Sequence, residues 1–174
     1  YNEKGWLHSG FLSKNYKNKV NARGTNTATN KPLILKKRHK PTFYALIIGT
    51  SDYRGEALDL SFADKDAADI ANALELAGQS LFGAANTKVK LLNTSQSKEL
   101  QPSKENIKAA FEAIAEEAKA EDVFVLYLSG HGVNYGSPNS QFYYLTKSIA
   151  SEELGDDNIR TNYTISSEEF TAQL

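Results

Sequence analysis

The feature that most constrains the fold is an apolar run at residues 123–128 that ends abruptly in Ser-Gly-His-Gly at 129–132. Its β-branched, aromatic and leucine side chains are typical of a strand buried on both faces, in the middle of a parallel sheet. The two glycines around His131 let the backbone turn sharply and leave its amides open to a ligand. In open α/β sheets, ligands bind at the carboxyl ends of the strands. We therefore interpret His131 as a functional residue; the alternative is that it caps the strand and bonds the loop.

The chain before this run alternates strand and helix patterns, an order that indicates a parallel sheet with helices packed across its faces. Strands are predicted at residues 42–49 and 89–92, where the chain is apolar and β-branched. Helices are predicted at 63–78 and 104–119, because apolar residues recur there at spacings of three and four. The predicted fold class is α/β, a three-layer sandwich with a mainly parallel sheet.

Helix starts and a hairpin complete the local predictions. Ser61, with Asp64 three residues later, predicts an N-cap for the first helix, and Ser166 with Glu169 predicts a capping box for a final one. Residues 142–145 indicate a short strand that forms half of a hairpin. Residues 151–164 are acidic and are predicted to be a loop.

The charge of the chain changes near Pro41. The first forty residues contain ten Lys and Arg but only one acid, Glu3, whereas the remainder carries ten basic and twenty acidic residues. We therefore predict a basic arm or linker from a preceding region at 1–40 and a folded domain at 41–174. The net charge of -1 gives no reason to expect nucleic acid as a partner.

Cysteine is absent, which excludes a disulfide framework and a thiolate metal site. Methionine is absent too, even at the first position, so we interpret the chain as part of a longer protein. No apolar run approaches the length of a membrane-spanning helix, and no signal-peptide pattern opens the chain. We expect a cytoplasmic protein that has no membrane partner.

Two sequence motifs, and the distance between them along the chain, resemble those of a known family. The strand sequence YALIIG at 44–49, followed by the strand that runs into Ser-Gly-His-Gly, resembles the catalytic half of caspase-like cysteine peptidases. The whole stretch from 43 to 174 resembles the bacterial members, the metacaspase-like proteins or orthocaspases. This resemblance implies a caspase-hemoglobinase-like fold, a caspase-like catalytic domain at 41–174 and cysteine endopeptidase activity.

The same resemblance implies a catalytic dyad. In the family, the histidine pairs with a cysteine on the next parallel strand, so that the sulfur attacks a peptide carbonyl. His131 takes the histidine's place, and the Gly132 amide is one donor to the oxyanion. Only 43 residues follow His131, and we therefore expect the nucleophile just beyond the end of this chain.

Substrate preference is implied by a second segment. The sequence LSFADKDA at 60–67 is similar to a metacaspase segment that ends in Asn-Asp-Ala, whose aspartate lines the pocket for the residue before the cut. Asp66 matches that aspartate, whereas Lys65 stands where the family often has Asn. The resemblance therefore implies cleavage after Arg or Lys, with Asp66 as the substrate-binding carboxylate. The alternative is an ordinary acid at a helix start, where the macrodipole favours negative charge.

No cofactor is expected. Some metacaspases are activated by calcium, and four acids of the predicted loop offer oxygen ligands, but a solvated acidic loop is the preferred interpretation; they are Glu152, Glu153, Asp156 and Asp157. Expected partners are protein or peptide substrates, the remaining catalytic segment that carries the cysteine, and other domains of the same polypeptide.

One rival function remains open, a non-catalytic member of the family that serves as an interaction or signalling module. A serine hydrolase of the lipase type is set aside, since the chain lacks the Gly-Xaa-Ser-Xaa-Gly elbow that such an enzyme needs.

Overall fold

A computed structural model describes residues 40–137 and 140–173 of the chain. The predicted N-terminal arm, apart from Lys40, lies outside the described residues. The strands and helices in chain order are β1 (Phe43–Gly49), α1 (Ala63–Phe82), β2 (Thr87–Asn93), α2 (Lys104–Glu117), β3 (Val123–Ser129), β4 (Gly132–Tyr135), β5 (Gln141–Leu145), α3 (Asp157–Tyr163), β6 (Thr164–Ser166) and α4 (Ser167–Ala172).

The three apolar strands form one parallel sheet in the order β2-β1-β3. Their register is even, with Ile47 opposite Leu91 on one side and opposite Tyr127 on the other. The carboxyl ends of all three strands therefore lie at the same edge. This arrangement confirms the predicted α/β class and the parallel sheet.

Helices α1 and α2 cover opposite faces of this sheet, because successive side chains of a strand point to opposite faces. The odd-numbered residues of β1 pack on α1, and the even-numbered Leu46 and Ile48 pack on α2. The buried members are Phe43, Ala45 and Ile47 with Ala67 and Ala71 on one side, and Leu46 and Ile48 with Ile107, Ala110 and Phe111 on the other. The result is the predicted three-layer sandwich.

The central strand of the described sheet is β1, and β3, which was predicted to lie in the middle of the sheet and to be buried on both faces, is an outer strand there. All seven residues of β1 are buried. Those of β3 are half-buried, and Val123 is 39% exposed. The physical reason is that, within the described residues, β3 pairs with β1 alone. Composition identified the strand but not its neighbours.

Two local predictions at helix starts had opposite outcomes. Helix α4 begins with the predicted capping box, in which Ser166 and Glu169 exchange side-chain and backbone bonds. In contrast, Ser61 does not cap α1, because the helix starts at Ala63 after Phe62 and has no side-chain cap. Asp64, the expected partner of Ser61, bonds Ser51 and Ser95 of two other loops instead.

A second, antiparallel sheet follows the first. Strands β4 and β5 form the predicted hairpin, and β6 pairs with the other edge of β5. The predicted acidic loop at 151–164 contains helix α3, whose N-cap Asp156 accepts a bond from the Asn158 amide. No helix of the described part is long and apolar enough to span a membrane.

Candidate active site

The candidate site lies at the carboxyl edge of the parallel sheet. His131 directly follows the turn at the end of β3, and Thr50-Ser51 continues β1 at the neighbouring position. The Thr50 amide donates to the Ser129 carbonyl at 2.9 Å, which joins these two strand ends. This edge is where ligands bind in open α/β sheets.

The His131 imidazole is held by a backbone carbonyl. Its Nε2 lies 2.8 Å from the carbonyl oxygen of Leu58, in the short 3₁₀ turn Glu56–Leu58. Because a carbonyl oxygen only accepts, this bond assigns the proton of the neutral ring to Nε2 and leaves the lone pair on Nδ1. Nδ1 is thus the nitrogen that can take a proton from a nucleophile.

The Gly132 amide points away from its partner strand. The Leu145 amide donates to the His131 carbonyl at 3.0 Å, which makes His131–Leu145 a hydrogen-bonded position of the hairpin. Such positions alternate in an antiparallel ladder, so the next pair, Gly132–Tyr144, exchanges no bonds. The Gly132 N–H is therefore directed outward, as a donor to an oxyanion must be.

Both glycines of the motif have a specific steric reason. Gly130 has φ +151°, and an added Cβ would lie 2.8 Å from the Tyr53 hydroxyl oxygen and 2.9 Å from that of Tyr144. At Gly132 an added Cβ would lie 2.2 Å from the ring of Phe142, which covers this glycine from β5. The two glycines thus let the chain turn in close contact with the Tyr53 and Tyr144 hydroxyls and with the Phe142 ring.

Two buried tyrosines beneath the turn, Tyr53 and Tyr144, are not among the functional residues that the sequence predicts. The His131 N–H donates to the Tyr53 hydroxyl at 2.9 Å, and the Tyr144 hydroxyl donates to the Ser129 carbonyl at 3.0 Å. Burial raises the pKa of Tyr53 to about 12 and raises that of Tyr144 further. Both hydroxyls therefore stay protonated at neutral pH. In the sequence, the one available indication was that Tyr53 lies in a predicted loop and not in a strand.

Asp66 lies on the first turn of α1 with its side chain exposed. Its carboxylate forms no hydrogen bond with the described residues, which leaves it available to a ligand. The same turn of α1 carries Asp64, which bonds the loops after β1 and β2 at the carboxyl edge of the sheet. The assignment of Asp66 to substrate binding stays a prediction.

Asp64 is committed to the protein itself. Its carboxylate accepts from Ser95 after β2, and from Ser51 after β1 at 2.9 Å. The bond from Ser95 above all, with help from Ser51 and the Lys65 amide and against the effect of burial, lowers the pKa of this carboxyl. Asp64 therefore ties the start of α1 to the ends of two strands.

Two of the four acids considered as calcium ligands have side-chain partners within the chain. Asp156 caps α3, and Asp157 pairs with Arg160. Across residues 40–137 and 140–173, no three or more His, Cys, Asp or Glu side chains are grouped so that they could hold a metal ion.

Comparison with known proteins agrees with this geometry. No curated protein matches the chain. Residues 42–168 match the family model described as Caspase domain. The matched segment covers well over half of the chain and includes the parallel sheet, both flanking helices and His131. The chain therefore belongs to the caspase-domain family of caspase-like peptidases.

Proposed function

We propose that this domain is the histidine-bearing part of a cysteine endopeptidase of the metacaspase or orthocaspase type, which cleaves after Arg or Lys. One observation carries the proposal: the Leu58 carbonyl fixes the His131 ring with Nδ1 unprotonated, directly before an outward-facing Gly132 amide. A base and an oxyanion donor on consecutive residues are what acyl transfer to a thiol needs.

In the proposed reaction, Nδ1 of His131 takes the proton of a cysteine thiol, and the sulfur attacks the scissile carbonyl carbon. The carbonyl oxygen becomes an oxyanion that accepts from the Gly132 N–H. When the intermediate collapses, the imidazolium returns the proton to the departing amine and a thioester remains. Water, deprotonated by His131, then releases the acid and restores the thiol.

The Leu58 carbonyl has two roles in this proposal. It keeps the ring in one orientation and one tautomer, as the third member of a triad does. It also accepts from the imidazolium, and a hydrogen bond to a charged donor is stronger than one to the neutral ring. The bond is therefore worth most at the stage when His131 carries charge.

The nucleophile comes from polypeptide outside these 174 residues, since they contain no cysteine. Strand β3 offers a backbone edge with half-buried apolar side chains, to which a further parallel strand can pair. A strand added there would end at the same sheet edge as His131. This supports a cysteine that reaches Nδ1 from the next strand.

Specificity is assigned to Asp66. An exposed carboxylate without a side-chain hydrogen bond to the described residues is free to pair with a substrate guanidinium or ammonium group. Asp64 does not fill this role, because Ser51 and Ser95 occupy its oxygens.

The test uses the parent polypeptide with its cysteine and a peptide library that varies the residue before the cut. We expect cleavage after Arg or Lys, and its abolition by His131→Ala in a protein that still unfolds cooperatively. His39→Ala is the matched control and should retain turnover. Cleavage by the His131→Ala variant would refute the assignment, and preference for Asp would remove the role of Asp66. A parent protein with Ser, Gly or Tyr at the nucleophile position and no cleavage would support the interaction module instead.

A further inference from the structure

Each end of the turn that presents His131 is bonded by a buried hydroxyl group. At one end, the His131 N–H donates to the Tyr53 hydroxyl oxygen at 2.9 Å. At the other end, the Tyr144 hydroxyl donates to the Ser129 carbonyl at 3.0 Å. Thr50 lies beside Tyr144, with its Oγ1 2.8 Å from the Tyr144 oxygen.

The direction of these bonds follows from the number of protons. Each hydroxyl donates once. The Tyr144 proton goes to the Ser129 carbonyl, so the bond between Thr50 and Tyr144 uses the Thr50 proton. The Tyr53 oxygen accepts from the His131 amide. Buried hydroxyls thus bond both the His131 amide and the Ser129 carbonyl.

Because Tyr53 is buried, water cannot easily take the place of its hydroxyl as the acceptor for the His131 amide. Tyr53 is 3% exposed, Thr50 0% and Tyr144 1%. A half-buried amide that loses its acceptor in such surroundings is left unsatisfied, at the cost of its desolvation. The Tyr53 ring also contacts the imidazole, with the ring centroids 5.3 Å apart and the planes inclined by 46°. Tyr53 therefore holds both the backbone and the side chain of His131.

We propose that Tyr53 is a positioning residue for His131, which keeps Nε2 on the Leu58 carbonyl and Nδ1 free for the thiol. The use of His131 as a base rests on the proposed function. The positioning itself rests on geometry within residues 50–144. Thr50 and Tyr144 act on the other end of the turn, through the Ser129 carbonyl.

The direct test is nuclear magnetic resonance of the 174-residue chain with ¹⁵N-labelled histidine. Long-range ¹H–¹⁵N correlations distinguish the two neutral tautomers, and we expect wild-type His131 to carry its proton on Nε2. Tyr53→Phe removes only the hydroxyl, so we expect a mixture of tautomers and at least about tenfold faster exchange of the His131 amide proton. Tyr143→Phe is the control, because the Tyr143 hydroxyl bonds Gln141 instead. It should leave both signals unchanged.

An unchanged tautomer and unchanged amide exchange in folded Tyr53→Phe would overturn the proposal. A second variant, Thr50→Val, leaves the Tyr53 ring in place and removes the hydroxyl that bonds Tyr144 beneath the turn. It should shift the same two signals in the same direction but less. It also provides the test if Tyr53→Phe does not fold, and unchanged signals in it would then overturn the proposal.

Activity of the parent polypeptide separates this proposal from the proposed function. We expect Tyr53→Phe to lower kcat about tenfold with KM unchanged, because the base is misplaced and the substrate pocket is intact. A parent protein without any cleavage would contradict the peptidase assignment and leave the tautomer test intact. A cleaving parent in which Tyr53→Phe keeps full kcat would contradict the positioning role alone.

Discussion

At the scale of single residues, the motif around His131 combines two different uses of glycine. Gly130 needs a positive φ and lies against the hydroxyls of Tyr53 and Tyr144, both held in the buried interior. Gly132 has no positive φ, and its hydrogen makes room for the Phe142 ring, which is 37% exposed and can move. A side chain at Gly130 should therefore destabilise the fold more than one at Gly132, although the two glycines look equivalent in the sequence.

Gly130→Ala should destabilise the fold more than Gly83→Ala. Gly83 also has a positive φ, +88°, but nothing lies within 4 Å of an added Cβ. Its substitution should cost only the backbone strain, about 1–3 kcal/mol. Gly130→Ala adds overlap with two buried hydroxyls, which costs roughly another 1–3 kcal/mol. Urea denaturation of both variants measures the difference, and equal midpoints would contradict this account of the turn.

The two aspartates at the start of α1 should separate activity from stability. In the parent enzyme, Asp66→Ala should lower kcat/KM for Arg substrates by roughly 30-fold to 1,000-fold or more, since losing one partner of a charge-assisted pair costs about 2–5 kcal/mol. Its stability should be unchanged, because the side chain is exposed.

Asp64→Ala is the matched control, with the reverse pattern. It removes the bonds to Ser51 and Ser95 and should lower the free energy of unfolding by about 1–2 kcal/mol, with far less effect on turnover. If Asp64→Ala abolished Arg cleavage in a folded enzyme and Asp66→Ala did not, the specificity assignment would move to Asp64.

At the scale of elements, two carboxylates connect helices to their neighbours. Asp64 joins α1 to the loops after β1 and β2. Glu169 joins α4 to α2 through Lys104, at 2.7 Å, and Lys108, at 3.3 Å. Burial alone would raise the pKa of Glu169, but the bond from Lys104 and the Ser166 amide outweigh it and lower the pKa.

These shifts predict a loss of stability in acid. A carboxyl whose pKa is lower in the folded state contributes stability above its unfolded value, about 4, and this contribution is lost as the pH falls through the folded pKa. The urea midpoint should therefore decline below about pH 4. Asp64→Asn and Glu169→Gln should each flatten the decline. The exposed neighbour Glu168, changed to Gln, should leave it as in the wild type, and equal slopes in all variants would contradict the linkage.

At the scale of the whole molecule, the outer strand β3 of the described sheet has an open backbone edge. Strand β3 has half-buried apolar side chains from Phe124 to Leu128, and its backbone pairs with β1 alone within the described residues. Alternate amides of such a strand lack a ladder partner and open easily. This edge is where the proposed nucleophile strand would add.

Hydrogen exchange tests that addition. In the 174-residue chain, the β3 amides should exchange faster on average than those of β1, which pairs on both sides. In the parent polypeptide, the β3 amides should gain protection, because a further parallel strand pairs with the open edge. The β2 amides serve as the internal control and should not change. Equal protection of β3 in the two proteins would argue against pairing at this edge.

Much of the fold was predictable from local patterns. Apolar runs identified the three parallel strands, and spacings of three and four identified α1 and α2. The capping box at Ser166 was readable because both of its partners lie within one helical turn. The cap predicted at Ser61 failed because Asp64 has stronger partners in loops far away in the sequence.

Local patterns were enough to predict the class of the fold, the strand that leads to His131, and the glycines of the turn, since periodicity and backbone freedom are properties of short segments. Which strand is central in the described sheet, which aspartate is free, and which tautomer His131 adopts follow from the three-dimensional arrangement. The bonds that decide these points join residues far apart: the His131 amide and Tyr53 are separated by 78 positions, and Thr50 and Tyr144 by 94. Such contacts depend on how β1, β3 and β5 come together, and no pattern within a single segment contains that information.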